Sequence, residues 1–315
     1  MKALEQQLVA ARARVRGLRA RVPFGPVGAP ARIDVRLDDL DAPPGAAPPE
    51  GRPLDTDQRF DAIVDVVTWT GALPARVIAR PTHPALPEIV RFLHRLECPV
   101  TLRTCARGLD ARRADELVDA GVSRVFVRVA GGADDAGGVA ETPDEPRAAW
   151  TALIGARRSR GARLDVLAEV VVRADAPDGV RRAFAAAREV GADGATLAPP
   201  WVGSQITAVN RPDLAWAATQ RAPFHRTPGP VMRALLALAA SPEKGPLPGR
   251  RRDAGLRRCA VAGSRIEVGP TGLASACPFK PGACATSALA DGAGLVGHAA
   301  AVRACDRECW HPDVR

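Results

Sequence analysis

Cysteine is the residue of this 315-residue chain with the most obvious chemistry, and its placement is uneven. Cys98 and Cys105 stand alone early on, while Cys259, Cys277, Cys284, Cys305 and Cys309 crowd the end of the chain. The total of seven is odd. The basic N-terminus is followed by no apolar stretch of the secretory kind, so reduced thiols or metal ligands are expected rather than disulfides. Beyond Arg258 the apolar periodicity fades, and a segment with so little aliphatic material needs a staple to be ordered.

A second set of residues follows from where strands should end. Arg80, His83, Arg103, Cys105, Arg128 and Glu169 fall at or near the C-terminal ends of predicted strands, the end at which parallel barrels carry their chemistry. Together they suit binding of an anionic ligand or acid–base work. Taken singly they read more plainly. His83, between Thr82 and Pro84, reads as a surface loop residue, and Cys105 as a small hydrophobe filling space rather than a reactive thiol. Cys98, at the other end of the same strand, reads as packing.

The elements that must position these residues are clearest from Ala75 to Val129. Ala75–Pro81 is short and β-branched, and Ala85–Glu97 sets Leu86, Ile89, Val90, Leu93 and Leu96 at helical spacing. Cys98–Thr104 predicts a strand, Ala111–Gly121 a helix ending on glycine, and Ser123–Val129 a third strand. Strands this short, separated by helices, predict parallel pairing through right-handed crossovers. The pattern extends both ways, with strands at Arg32–Asp38, Arg163–Asp175 and Gly194–Trp201, and helices at Phe60–Ala72, Glu145–Arg160 and Gly179–Gly191. Six βα units result, giving an α/β sheet or barrel over residues 32–242. A basic helix precedes it in residues 1–31, whose Met1–Val22 seam reads as a helix lying on the main domain, with a partner-binding arm or a transit peptide as alternatives. An apolar helix at Pro230–Ser241 leads to a Gly/Pro-rich basic linker, Glu243–Arg258, and to a cysteine-rich extension over 243–315.

Composition narrows the class. The net charge of +9 is spread over the whole chain, lysine occurs only at positions 2, 244 and 280, and no nucleic-acid motif is present. A nucleic-acid partner is therefore not expected. Without a run of about eighteen apolar residues, no membrane span is expected, and the cytoplasm is the expected location.

Ile78–Asp110, Ala114–Gly131 and Gly191–Trp201, with the six βα units and the cysteine-bearing tail, resemble the radical S-adenosylmethionine (radical SAM) family with a SPASM or twitch-type C-terminal extension. The extension's pattern is Cys, nine to fifteen residues, Gly, four residues, Cys. Here Cys259 is followed by twelve residues, Gly272, four residues and Cys277, and the segment between reads as a hairpin turning at Pro270–Gly272. Cys305 and Cys309 match the closing C-x-x-x-C. The resemblance implies a partial (β/α)6 TIM-like barrel, and one [4Fe–4S] cluster on Cys259, Cys277, Cys305 and Cys309 with Cys284 as a substitute. Zinc is the alternative, since four thiolates suit it equally.

Two departures limit what the resemblance carries over. The family's C-x-x-x-C-x-x-C loop after the first strand corresponds to Asp39–Phe60, which contains no cysteine. The family's G-G-E-P reads Ile78-Ala79-Arg80-Pro81, so an acid that should pair with the cofactor's ammonium has become a base. The usual Asn after the next strand is Cys105. Binding of S-adenosylmethionine is thus not implied, and Arg80, Arg103 and Cys105 are the residues left to hold a ligand at the barrel mouth. What is implied is a pseudoenzyme: a binding or accessory protein whose partner is a peptide substrate or a catalytically active sister protein. The alternative is a family or other barrel enzyme, peptide- or small-molecule-modifying, with an unorthodox site at the mouth.

Overall fold

A computed structural model describes residues 32–38, 40, 53–70, 74–130, 144–172, 178–198, 201–202, 205–206, 212, 216–217, 265–275 and 285–287. The chain alternates β1 (Arg32–Arg36), α1 (Thr56–Thr70), β2 (Ala75–Ile78), α2 (Leu86–Arg95), β3 (Val100–Cys105), α3 (Ala111–Asp119), β4 (Val122–Ala130), α4 (Asp144–Arg160), β5 (Asp165–Val171), α5 (Gly179–Glu189) and β6 (Gly194–Ala198). Successive strands pair in parallel from β1 to β6. Strands in sequential order joined by right-handed crossovers place every helix on one side of the sheet, so the other side becomes the inside of a curved, partial barrel. The six predicted strands and the five helices between them are all present among the described residues.

Local chemistry explains the element ends. Asp55 and Gln58 form a reciprocal cap ahead of α1: Gln58 N–H donates to Asp55 Oδ1 at 2.8 Å, and Asp55 N–H to Gln58 Oε1 at 3.2 Å. This cap starts α1 at Thr56 rather than at the expected Phe60. Asp110 caps α3 by accepting from Arg113 N–H at 2.7 Å. Gly121, at φ +95°, ends the α3 segment in the left-handed region, as its sequence position predicts.

The helix-facing core is apolar and tightly closed, with Trp150, Phe92 and Phe184 the largest fully buried side chains. Phe92 lies 4.7 Å from Phe60, ring centroid to centroid. Cys98, 1% exposed, belongs to this core, as expected.

Part of the extension joins the same sheet. β9 (Arg265–Val268) and β10 (Leu273–Ser275) form the expected hairpin, turning at Gly272 with φ +77°. β9 then pairs in parallel with β1, Arg32 against Arg265 through Val35 against Val268, and β10 pairs with β11 (Ala285–Ser287). The sheet therefore runs β11-β10-β9-β1-β2-β3-β4-β5-β6, and its edges β11 and β6 do not pair among the described residues. The hairpin turn also docks on the approach to α1: Leu54 N–H donates to Pro270 O at 2.9 Å. A Cβ on Gly272 would lie 2.7 Å from Leu54 Cδ1. A two-stranded ribbon, β7 (Trp201–Val202) and β8 (Gln205–Ile206), follows the barrel strands. The expected helices at Met1–Val22 and Pro230–Ser241 and the linker at Glu243–Arg258 lie outside the described residues.

Candidate functional site

Strand alternation sorts the sheet into two chemistries. On β1, Ile33 and Val35 join the helix-facing core, while Arg32, Asp34 and Arg36 take the inner face. Cross-strand register continues that inner row through Arg76 on β2, Thr101, Arg103 and Cys105 on β3, Arg124, Phe126 and Arg128 on β4, and Glu169 on β5. Ile78, Leu167, Val171 and Ala198 are buried on this inner face and stand apart from the helix-side cluster.

The inner face is laced by ion pairs that cross strands. Asp34, 0% exposed, accepts from Arg32 Nε at 2.7 Å and from Arg76 Nη2 at 2.5 Å. Arg36 Nε donates to Glu267 Oε1 at 2.9 Å, tying β1 to the hairpin of the extension. Nearer the mouth, Arg103 on β3 spans β4 to reach Glu169 on β5, Nε to Oε2 at 2.5 Å. Arg128, beside Glu169 in register, donates from Nη1 to the carbonyl of Leu40 at 3.3 Å, just beyond β1. Burial pushes the Glu169 carboxyl up, but the charges of Arg103, Arg128 and Arg76 outweigh it and hold the group below its ordinary value. Glu169 is ionised at neutral pH. Among the described residues of the inner face, arginines at 32, 36, 76, 103, 124 and 128 outnumber carboxylates at 34, 165, 169 and 267.

A separate polar cluster sits in the loops above β1 and β2. His83 accepts at Nε2 from Arg59 Nη1 of α1 at 3.0 Å. A guanidinium can only donate, so the neutral ring carries its proton on Nδ1, an atom that is buried with no partner among the described residues. Burial, offset in part by Asp38 and reinforced by Arg59 and Arg113, lowers the His83 pKa and keeps the ring neutral. Arg113 of α3 clamps the loop by donating to the carbonyls of Pro81 and, at 2.6 Å, of His83. Arg80 N–H donates to Asp38 Oδ2 at 2.8 Å.

The predicted site residues thus divide. Arg103, Cys105, Arg128 and Glu169 share the inner face, whereas Arg80 is an exposed loop residue and His83 belongs to the loop cluster. The surface reading of His83 is corrected: it is half-buried and fixed on both sides by arginines. Cys105 is half-buried at the mouth end of β3. Sequence reasoning missed Asp34, Arg76, Arg59 and Arg113. For the first two a signal existed: strands of a parallel sheet buried on both faces are near-continuously apolar. RIDVR instead alternates polar with apolar, and ARVI sets Arg76 between apolar neighbours. The expected metal ligands Cys259, Cys277, Cys284, Cys305 and Cys309 lie outside the described residues.

The donors gathered at the mouth do not fit a three-thiolate cluster site. The thiols of the described residues are Cys98 and Cys105, at opposite ends of β3 and on the order of 20 Å apart at strand spacing. No group of three or more His, Cys, Asp or Glu side chains among the described residues could hold a metal ion. Nor does a guanidinium-rich face suit a cofactor of net positive charge, whose ammonium and sulfonium outweigh its one carboxylate. Among the described residues no helix is long and apolar enough to cross a membrane.

No protein-family model and no curated protein matches the sequence. Among solved structures, the chain is similar to Streptococcus suis SuiB bound to precursor peptide SuiA, with a TM-score of 0.64 and 12% identity over 96% of this chain and 74% of that one. It is similar to the same protein bound to S-adenosylmethionine, with a TM-score of 0.61 and 12% identity over 96% and 73%. A 2,3-dimethylmalate lyase of the PEP mutase/isocitrate lyase superfamily aligns with a TM-score of 0.35 and 12% identity over 61% of this chain and 63% of its own length, too loose to bear on the fold. At such identities the likeness is one of architecture. The fold is a partial (β/α)6 TIM-like barrel, the architecture this chain shares with SuiB.

Proposed function

We propose that this chain is a radical SAM/SPASM-like scaffold that has lost S-adenosylmethionine cleavage and acts as a binding or accessory protein in peptide modification. One observation carries the reading: the inner face of the mouth is built from arginines around Glu169, where a cofactor-cleaving barrel needs a nest of thiolates. A peptide partner is supported by the fold shared with SuiB, which is known bound to a precursor peptide. The partner is a peptide substrate or a catalytically active sister protein.

For the extension we propose one [4Fe–4S] cluster held by Cys259, Cys277, Cys305 and Cys309, with Cys284 able to replace one of them, or zinc in the same thiolate cage. The three tail strands support a common origin for these segments. Arg265, Ser275 and Ala285 lie at the same end of β9, β10 and β11.

A second reading is an enzyme with an unorthodox site, favoured by His83, a neutral imidazole in the loops above β2. The two separate in one experiment. Protein purified without oxygen is analysed for metal and sulfide, then incubated with S-adenosylmethionine and a strong reductant. The expected outcome is about four irons and four sulfides per chain, or one zinc, with no 5′-deoxyadenosine. Formation of 5′-deoxyadenosine overturns the proposal.

A further inference from the structure

We infer that the inner face around Glu169 is a carboxylate-binding site, with Glu169 itself standing where a ligand's carboxylate would bind. The inference rests on the peptide reading in one respect only, that the carboxylate belongs to an acidic peptide. Side chains from four strands converge there. Arg103 of β3 reaches across to β5, Arg128 of β4 reaches to the chain beyond β1, and the charge of Arg76 on β2 is felt at the same carboxylate. Arg103 and Glu169 are only 12% and 15% exposed, so their attraction is weakly screened. Guanidinium is the group whose planar fork matches a carboxylate.

A purely structural role explains this less well. Buried ion pairs are often matched or bettered by apolar packing of equal volume. The same face shows that apolar filling is available, since Ile78 stands opposite Arg103, and Leu167 opposite Phe126, in the register. Against that background the Arg103 guanidinium bonds Glu169, and the charges of Arg128 and Arg76, bonded to Leu40 O and Asp34, act on the same carboxylate, so each is already engaged. An incoming carboxylate would therefore exchange with Glu169 rather than occupy a vacancy, and Glu169 sets the affinity. The sign of the site excludes cationic ligands.

The test titrates the full-length chain calorimetrically with three probes: a glutamate-containing peptide, its glutamine counterpart and glutarate. Three variants are compared, each checked for native circular dichroism and thermal unfolding. The glutamate peptide and glutarate should bind, and the glutamine peptide about tenfold or more weakly. Arg128→Gln should weaken both acids about tenfold. Glu169→Gln should tighten both, because its amide no longer competes for the guanidiniums. Arg160→Gln, on the outer helix α4 away from the inner face, should change neither. Weaker or unchanged binding in folded Glu169→Gln overturns the inference, as does failure of all three probes. Equal binding of the two peptides removes the carboxylate site and leaves the peptide reading standing. Binding of glutarate alone, with these variant responses, keeps the site and removes the peptide reading.

Discussion

The two faces of one sheet follow opposite rules. Towards the helices, every second strand residue is sealed and, Thr104 apart, apolar. Towards the barrel interior, charged residues stand among apolar ones such as Ile78 and Leu167, and carboxylates there meet arginines across strands. Asp34 and Ile33 are both 0% exposed, yet one is surrounded by guanidiniums and the other by aliphatic carbon. Burial alone thus says little about what a residue does in this molecule; the face it occupies decides.

Three substitutions sharpen that contrast. The largest effect belongs to the sealed side. Phe92→Ala removes a 1%-exposed ring tilted against Phe60 and should cost about 3–5 kcal/mol in urea unfolding. Next comes the inner face, where Asp34→Asn keeps shape but leaves Arg32 and Arg76 facing a neutral amide. A loss of about 3 kcal/mol is expected, and a loss below 1 would mean that water reaches the pair. Smallest, and opposite in sign, is Thr104→Val. Thr104 lies on the helix-facing row of β3 at 0% exposure, with an Oγ1 that has no hydrogen-bond partner among the described residues. Replacing the hydroxyl by a methyl of similar volume should stabilise the protein by about 1 kcal/mol in the same measurement. Destabilisation there would break the rule that polar atoms burden this side.

Local signals made the βα units legible. The unit from β2 to β4 could be read almost to the residue because helical periodicity, the glycine at 121 and β-branched strands all agree. The start of α1 was misplaced by four residues because Asp55–Gln58, a polar pair bonding backbone to side chain, carries no hydrophobic periodicity. Pairing of β9 with β1 was illegible for a different reason. It joins residues more than two hundred positions apart, and neither strand's pattern names its neighbour. At the candidate site, Arg103, Cys105, Arg128 and Glu169 were found because strand ends could be predicted. Arg76 and Asp34 were missed because they sit lower on the same face, and His83 was misjudged because its burial depends on Arg59 and Arg113 of two other elements.

The parallel seam between β1 and β9 has a consequence for how the polypeptide is made. The first barrel strand leaves the ribosome more than two hundred residues before its flanking strand, residues 265–268. Until then β1 is an open edge with a bare row of amides and carbonyls, the kind of surface on which nascent chains pair wrongly. A chain terminated before Arg265 would keep that edge for good, carrying Arg36 without the Glu267 carboxylate that meets it in the finished protein.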